Sequence, residues 1–207
     1  MADPNYHALY LNGLNKGTIS RGEQRAINTA NMNGFQIKHI PIHWLSGESF
    51  VDLLQRTAKI TEDELKQHGK LLLIGASAGG SLAINVFGQL QGYDIRVVTL
   101  CSRLQEAKLP LWDPRSLDRM AHIGTDQESQ SFFDSVHFCT EQTLPRLSPE
   151  AKKRIIMVRQ WADEVVPRPT MNIASLATFT VPGFGHHYGI VLGIKHLGAI
   201  VRQLGQA

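Results

Sequence analysis

The hydrophobic and polar positions along the chain form short apolar runs that are separated by longer, partly polar stretches. The apolar runs occupy residues 7–11, 35–42, 70–75, 94–100, 154–158 and 177–181. Runs of this length, bounded by polar or turn-forming residues, are typical of buried β-strands. The pattern therefore predicts a sheet of about six strands.

Stretches of helical length lie between most of these runs. They cover residues 20–32, 49–67, 77–90, 169–176 and 188–204. Strands that alternate with helices favour a parallel sheet that is covered by helices on both faces. The expected fold class is α/β, a three-layer sandwich around a mostly parallel sheet.

One interval breaks the alternation. Between Cys101 and Lys153 there is no clear strand, only helical fragments around residues 126–136 and a helix start signal at residues 147–154. It follows the fourth strand, at the sheet edge where open α/β folds bind their ligands, and long insertions there usually serve a function. We expect one domain over residues 1–207, with residues 102–153 as a cap or pocket wall.

Composition narrows the class of protein further. The 21 basic and 18 acidic residues give a formal charge of +3 and are scattered, which is weak support for nucleic-acid binding. Cys101 and Cys139 have neither metal-ligand spacing nor a disulfide pattern, and the N-terminus lacks a signal-peptide pattern. We predict a cytoplasmic protein without membrane insertion. The sequence carries no signal for an oligomeric state.

Ser77 lies in the segment LLLIGASAGGSLA, residues 71–83, between a predicted strand and a predicted helix. A dinucleotide-binding loop is disfavoured because Ser81 replaces its third glycine and the segment follows the third strand. A Walker loop is excluded because no Gly-Lys-Ser/Thr follows. The remaining interpretations are plain core packing and the G-x-S-x-G nucleophile elbow, in which glycines allow a tight turn that exposes the serine.

A catalytic serine needs a base and an acid that orients the base. Asp163 follows the fifth apolar run and His186 follows the sixth, which is the chain order serine, acid, histidine. Because parallel strands end at one edge of the sheet, Ser77, Asp163 and His186 are predicted to converge there as catalytic residues. Glu164 remains an alternative acid and His187 an alternative base.

These segments resemble a known family. GASAGG, ADEVVP and PGFGHH, which begin at residues 75, 162 and 182, are similar to the nucleophile, acid and histidine segments of the α/β-hydrolase superfamily. The resemblance implies a minimal α/β-hydrolase fold and places residues 10–15 in the oxyanion loop, with Asn12-Gly13 where the family commonly has His-Gly. The backbone N–H groups of Leu14 and Ala78 are then the expected oxyanion donors.

The expected function is hydrolysis of carboxylic esters of small soluble molecules through an acyl-serine intermediate. It requires no cofactor and no metal. The alternatives are a thioesterase or lysophospholipase-type hydrolase with the same triad, or a non-catalytic binding protein on the same fold. The polar character of residues 102–153, with LPLW at residues 109–112 as an apolar wall, favours short acyl chains. Trp44, Trp112 and Trp161 are candidates for either pocket or core, and Cys101 is expected to be buried.

Overall fold

The structure is a computed structural model that describes residues 6–105 and 130–205. All six predicted strands are confirmed. They are β1 (Tyr6–Leu11), β2 (Phe35–Ile40), β3 (Lys70–Ala76), β4 (Asp94–Leu100), β5 (Ile155–Ala162) and β6 (Ala177–Phe184). They form one sheet in the order β2-β1-β3-β4-β5-β6, and every neighbouring pair is parallel.

Both faces of the central strands are buried. Along β3, Leu71 and Leu73 pack into the core on one face, while Leu72 and Ile74 pack into the core on the other. A strand that is buried on both faces has no polar side to show, which explains why its sequence is a continuous apolar run.

The helices follow in chain order. They are α1 (Arg21–Met32), α2 (Phe50–His68), α3 (Gly79–Gln89), α4 (Gln130–Phe138), α5 (Leu144–Arg146), α6 (Pro149–Lys152), α7 (Arg168–Met171), α8 (His186–Lys195) and α9 (Leu197–Leu204), with a π-helical turn at Cys139–Thr143. Apolar side chains of α1, α8 and α9 cover one face of the sheet, and those of α2, α3 and α4 cover the other. The predicted three-layer α/β architecture is confirmed.

The predicted helices at residues 169–176 and 188–204 differ from the structure. The stretch 169–176 contains only the single turn α7, because carbonyl oxygens that would continue the helix accept other bonds. Gln105 Nε2 donates to the carbonyls of Pro169 and Asn172, and the Gln105 N–H donates to the carbonyl of Thr170. The stretch 188–204 begins two residues earlier, at His186, and is interrupted at His196 between α8 and α9.

The interval after β4 is only partly a surface feature. Phe132, Val136, Cys139 and Leu144 belong to the same apolar core as α2 and α3. Residues 130–152 thus fill the helical layer between β4 and β5, and none of them lines the cleft described below. Residues 106–129, including LPLW, lie outside the described residues, so the cap stays a prediction for that segment.

The strand order places a crevice at one point of the sheet. The chain runs from β1 outward to β2 and then crosses back to β3 on the other side of β1. Connections that leave neighbouring strands in opposite directions open a crevice at the carboxyl edge, which is where open α/β sheets bind ligands. The loops after β1 and β3 meet there.

Within residues 6–105 and 130–205, no helix combines the length and the apolar character that crossing a membrane requires. The cytoplasmic location stays a prediction from the sequence.

Candidate active site

Ser77 lies on a strained turn between β3 and α3. Its φ angle is +51°, in the left-handed region that residues other than glycine rarely adopt. The Ser77 N–H donates to the carbonyl of Leu100 at 2.9 Å, which fixes the turn to the end of β4. The predicted helix from Ser77 therefore begins two residues later, at Gly79, and Ser77 precedes it. Strained residues of this kind concentrate at functional sites.

The glycines around Ser77 are required by close contacts of the backbone. A Cβ on Gly75 would lie 2.3 Å from the carbonyl oxygen of Gly79, and a Cβ on Gly79 would lie 2.5 Å from that of Leu11. Gly80, whose role the sequence did not suggest, leaves room for the Ser102 hydroxyl, which a Cβ would approach to 2.1 Å. The turn thus packs too tightly for any side chain at these three positions.

Asp163 and His186 are in direct contact. His186 Nδ1 lies 2.8 Å from Asp163 Oδ2, and the carboxylate is completely buried while 12% of the imidazole is exposed. The other carboxylate oxygen, Oδ1, accepts the N–H groups of Val165 and Val166 at 2.9 and 2.7 Å. Asp163 is therefore fixed by its own loop, and its bond to Nδ1 leaves Nε2 as the ring nitrogen available for proton transfer.

Glu164 and His187, the alternatives that the sequence left open, have different positions. Both carboxylate oxygens of Glu164 accept the main-chain N–H of His186, at 2.9 and 2.8 Å. Glu164 thus binds the backbone at the start of α8, while Asp163 binds the imidazole. His187 is exposed and lines the cleft.

Ser77 and His186 line the same cleft, whose volume is about 410 Å³. Within the part of the chain that the structure describes, no hydrogen bond joins the Ser77 hydroxyl to His186. Serine–histidine contacts in ligand-free enzymes are often long and tighten only with substrate. The geometry thus brings the three predicted residues to one site and forms one of the two hydrogen bonds of a triad.

The loop after β1 is held by Asn12, which the family resemblance places in the oxyanion loop without indicating this anchoring role. Its buried amide Nδ2 donates to the carbonyls of Gly13 and Ile42, at 2.9 and 3.0 Å, and its Oδ1 accepts the Ile42 N–H at 2.8 Å. Trp44 Nε1 donates to the main-chain carbonyl of Asn12. The signal in the sequence was a buried-strand run that ends on an amide side chain.

Two main-chain N–H groups are the expected oxyanion donors near Ser77: that of Leu14, on the loop that Asn12 anchors, and that of Ala78. A Cβ on Gly13 would lie 3.6 Å from Ser77 Oγ, so the loop passes directly beside the hydroxyl. Among the described residues, neither Leu14 nor Ala78 donates its main-chain N–H to a protein group. Both N–H groups are therefore available as donors, and their role in binding an oxyanion stays a prediction from the sequence.

The other candidate residues take structural positions. Trp44 is buried in the core, Trp161 is more than half exposed at the end of β5, and Trp112 lies outside the described residues. Cys101 is buried as expected, and burial raises the pKa of its thiol far above the usual range, which disfavours a nucleophilic role. In the two described segments, no group of three or more His, Cys, Asp and Glu side chains has the arrangement of a metal site.

Comparisons with known proteins bear on the fold. A scan against protein-family models and a search of curated protein sequences find no match to the chain. Solved structures do match over almost the full length. The mature lipase BlEst2 of Bacillus licheniformis is similar with a TM-score of 0.67 and 15% identity, over 98% of this chain and 93% of that one. The chain has the α/β-hydrolase fold.

Two further structures share this fold. One is the 2-hydroxy-6-oxo-6-phenylhexa-2,4-dienoate hydrolase of Rhodococcus sp. strain RHA1, with a TM-score of 0.61 and 12% identity over 99% of this chain and 92% of that one. The other is the monoacylglycerol lipase of Paleococcus ferrophilus, with a TM-score of 0.60 and 14% identity over 97% and 95%. The resemblance of the three sequence segments to the α/β-hydrolase superfamily is thereby confirmed at the level of the fold.

Proposed function

We propose that the chain is a serine hydrolase that cleaves carboxylic esters of small soluble molecules through an acyl-serine intermediate. The observation that carries the proposal is the 2.8 Å hydrogen bond between the buried Asp163 and His186, a residue that lines the same cleft as Ser77 on its left-handed turn. A buried carboxylate bonded to a partly exposed imidazole is the arrangement that activates a serine hydroxyl.

The proposed reaction has two halves. Ser77 Oγ attacks the ester carbonyl while His186 Nε2 takes the hydroxyl proton, and Asp163 stabilises the resulting imidazolium. The N–H groups of Leu14 and Ala78 bind the oxyanion. His186 then protonates the leaving alcohol, which gives the acyl-serine. A water molecule then attacks the carbonyl of the acyl-serine while His186 Nε2 takes its proton. His186 returns this proton to Ser77 Oγ, which leaves, so the carboxylic acid is released and the Ser77 hydroxyl is restored.

The similar structures support the broader part of this proposal, a hydrolase. Those compared above are named as two lipases and a dienoate hydrolase, but identities of 12–15% carry the fold and not the substrate. Thioesters and lysophospholipids would react by the same steps and remain alternatives. The Asp163–His186 pair argues against a non-catalytic binding protein, because binding alone does not need an oriented imidazole.

Labelling with a fluorophosphonate probe tests the nucleophile. We expect the folded wild-type protein to be labelled at Ser77, as located by mass spectrometry of its peptides, and the Ser77→Ala variant to remain unlabelled. Ser46→Ala is the matched control, since Ser46 is an exposed serine outside the cleft, and it should be labelled like the wild type. A folded wild-type protein whose Ser77 resists the probe would contradict the proposal.

A further inference from the structure

Glu23 is a carboxylate on the wall of the candidate active-site cleft that the proposed reaction does not use. It lies in the first turn of α1, and only 6% of the residue is exposed. It nevertheless lines the same cleft as Ser77 and His186. Its exposed part is small and opens on this cleft.

The two partners of the Glu23 carboxylate are neutral. The hydroxyl of Tyr10 donates to Oε1, and the main-chain N–H of Ser20 donates to Oε2 at 2.8 Å. Burial, together with the adjacent carboxylate, raises the pKa of Tyr10 well above its usual value, so the phenol keeps its proton and remains the donor. Neither of these partners carries a positive charge, so they provide hydrogen bonds to the Glu23 carboxylate but no counter-ion.

Among the described residues, no lysine or arginine is paired with this carboxylate. Within residues 6–105 and 130–205, no Lys or Arg lines the cleft and no ion pair involves Glu23. The other titratable side chains that line the cleft are His186 and His187. His39, whose ring lies 6.1 Å from that of Tyr10, interacts electrostatically with Glu23. Burying a charge without a counter-ion costs stability, so an unpaired carboxylate in a binding cleft indicates a counter-ion supplied by a ligand.

A structural role in the helix cap does not account for this charge. Glu23 completes a capping box with Ser20 at the start of α1. Glutamine at that position serves a capping box as well as glutamate does. The cap therefore explains an acceptor oxygen at this position. The positive end of the α1 dipole also favours a carboxylate in the first turn, but by less than the burial of a charge without a counter-ion costs.

We propose that Glu23 forms a subsite for a positively charged group on the substrate, an ammonium or quaternary ammonium carried a few bonds from the ester. The inference rests on the proposed ester hydrolysis and specifies its substrate class. Each carboxylate oxygen accepts one bond from the protein and keeps a free lone pair, which a primary ammonium can bond and a quaternary ammonium can approach electrostatically.

Isosteric ester pairs that differ by one charge test the subsite at pH 8. For a charge on the alcohol part of the ester, the pair is acetylcholine and 3,3-dimethylbutyl acetate. On the acyl side it is the p-nitrophenyl ester of 4-(trimethylammonio)butyrate and that of 5,5-dimethylhexanoate. Within each pair the shape is constant, so the ratio of kcat/KM reports the charge alone. We expect the cationic member to be preferred about tenfold or more in at least one pair, as for other charge-assisted contacts in partly buried sites.

The variant Glu23→Gln should abolish this preference, because it retains an acceptor for the cap and removes the charge. Glu150→Gln removes the same charge from an exposed position on α6, away from the cleft, and should keep both the activity and the preference. A wild-type protein that prefers the neutral ester of both pairs overturns the subsite without any variant. So does a preference that persists in Glu23→Gln.

Binding to the Ser77→Ala protein separates the subsite from the proposed reaction. Calorimetric titration of that protein with the same four esters compares charged and neutral members without turnover. Tighter binding of a cationic ester that depends on Glu23 supports the subsite even if no ester is hydrolysed by the wild type. Equal binding within both pairs overturns the subsite even if p-nitrophenyl acetate is hydrolysed.

Discussion

At the residue scale, the hydrogen bond of Asp163 to His186 is expected to control the tautomer of the imidazole. Asp163→Asn preserves the size of the side chain and an oxygen that can accept the Val165 and Val166 N–H groups. Its amide N–H, however, can donate to His186 Nδ1 and so favours the imidazole tautomer with the proton on Nε2, which cannot accept the serine proton. We expect kcat for p-nitrophenyl acetate to fall on the order of 10⁴-fold, with the protein still folded by circular dichroism.

The two histidines provide the control for this prediction. His186→Ala should reduce kcat as severely as Ser77→Ala, whereas His187→Ala should have a much milder effect because His187 does not contact Asp163. If His187→Ala proved the more damaging variant, the general base would be His187 and the assignment of the triad would be wrong.

Glu164 is expected to act as a positioning residue through the main chain of His186. Glu164→Ala removes both acceptors of the His186 N–H and should lower kcat about tenfold with little change in KM, because small displacements of a catalytic group are costly. Glu164→Gln keeps one acceptor oxygen and should restore most of the activity. Equal losses in both variants would show that the charge of Glu164 matters and its hydrogen bonds do not.

The sequence predicted some residues of this site and missed others for a physical reason. Ser77, Asp163 and His186 each follow a recognisable strand, and strand ends of a parallel sheet meet at one edge. Asn12 holds its loop through hydrogen bonds to Ile42, thirty residues away along the chain. Glu23 is notable because it is buried at the cleft. Contacts of that kind leave no local pattern in a single sequence.

At the scale of the element, the strand–turn–helix around Ser77 depends on its glycines. Gly75→Ala and Gly79→Ala would each place a methyl group within 2.5 Å of a backbone oxygen, so the backbone must move. We expect each variant to lose roughly 1–3 kcal/mol of unfolding free energy and to react poorly with the fluorophosphonate probe. Thermal unfolding and labelling measure the two effects separately.

The matched control for these variants is Gly92→Ala, since a Cβ at Gly92 meets nothing within 4 Å. This variant should unfold and be labelled like the wild type. Wild-type stability and labelling in Gly75→Ala would mean that the turn tolerates a side chain, and the argument for a tight elbow would fail.

Element positions were predictable to different degrees. The central strands β1, β3, β4 and β5 are apolar runs because most of their residues are buried, whereas the edge strands β2 and β6 keep exposed positions. The structure extends β5 and β6 beyond their predicted ends at residues 158 and 181, to Ala162 and Phe184. Helix bounds depend on individual backbone contacts. The left-handed Ser77 delays the start of α3, and Gln105 takes the carbonyl oxygens of Pro169 and Asn172 that a longer α7 would use. Neither contact is visible as a periodic pattern.

At the scale of the whole molecule, stability is expected to fall in alkaline solution. Burial raises the pKa of Cys101 and Cys139 above the ordinary value of 9.0. A raised pKa in the folded state means that the unfolded chain loses its thiol protons first. The unfolding free energy should therefore decrease as the pH rises above about 9, by up to about 1.4 kcal/mol per pH unit for each thiol.

Denaturant titrations at several pH values between 8 and 10 test this linkage. The double variant Cys101→Ala/Cys139→Ala should be less stable at pH 8 because of the cavities it creates, yet its stability should depend less steeply on pH. Tyr10 adds its own loss only above about pH 10, where the unfolded phenol ionises. An unchanged slope in the double variant would refute the role of the thiols.

The size of the cleft and the character of its walls also predict which acyl chains are cleaved best. Its volume is about 410 Å³, and polar side chains such as Asn15, Thr18 and Glu23 line one side of it. Each methylene that finds apolar contact should add about 0.8 kcal/mol to transition-state binding, until the polar wall is reached.

We therefore expect kcat/KM for p-nitrophenyl esters, measured from acetate to palmitate, to be highest at about two to six acyl carbons and to fall for longer chains. Activity should not increase when the substrate forms an oil–water interface.

The structure contains a competing surface for long chains, since Trp161, Phe184 and Tyr188 are exposed beside the histidine loop. If long chains bind there, the maximum will lie at ten carbons or more, and Phe184→Ser will lower it selectively. That result would reject the small-pocket interpretation and favour a lipase or lysophospholipase, because the chain would then be bound by an apolar surface outside the described cleft.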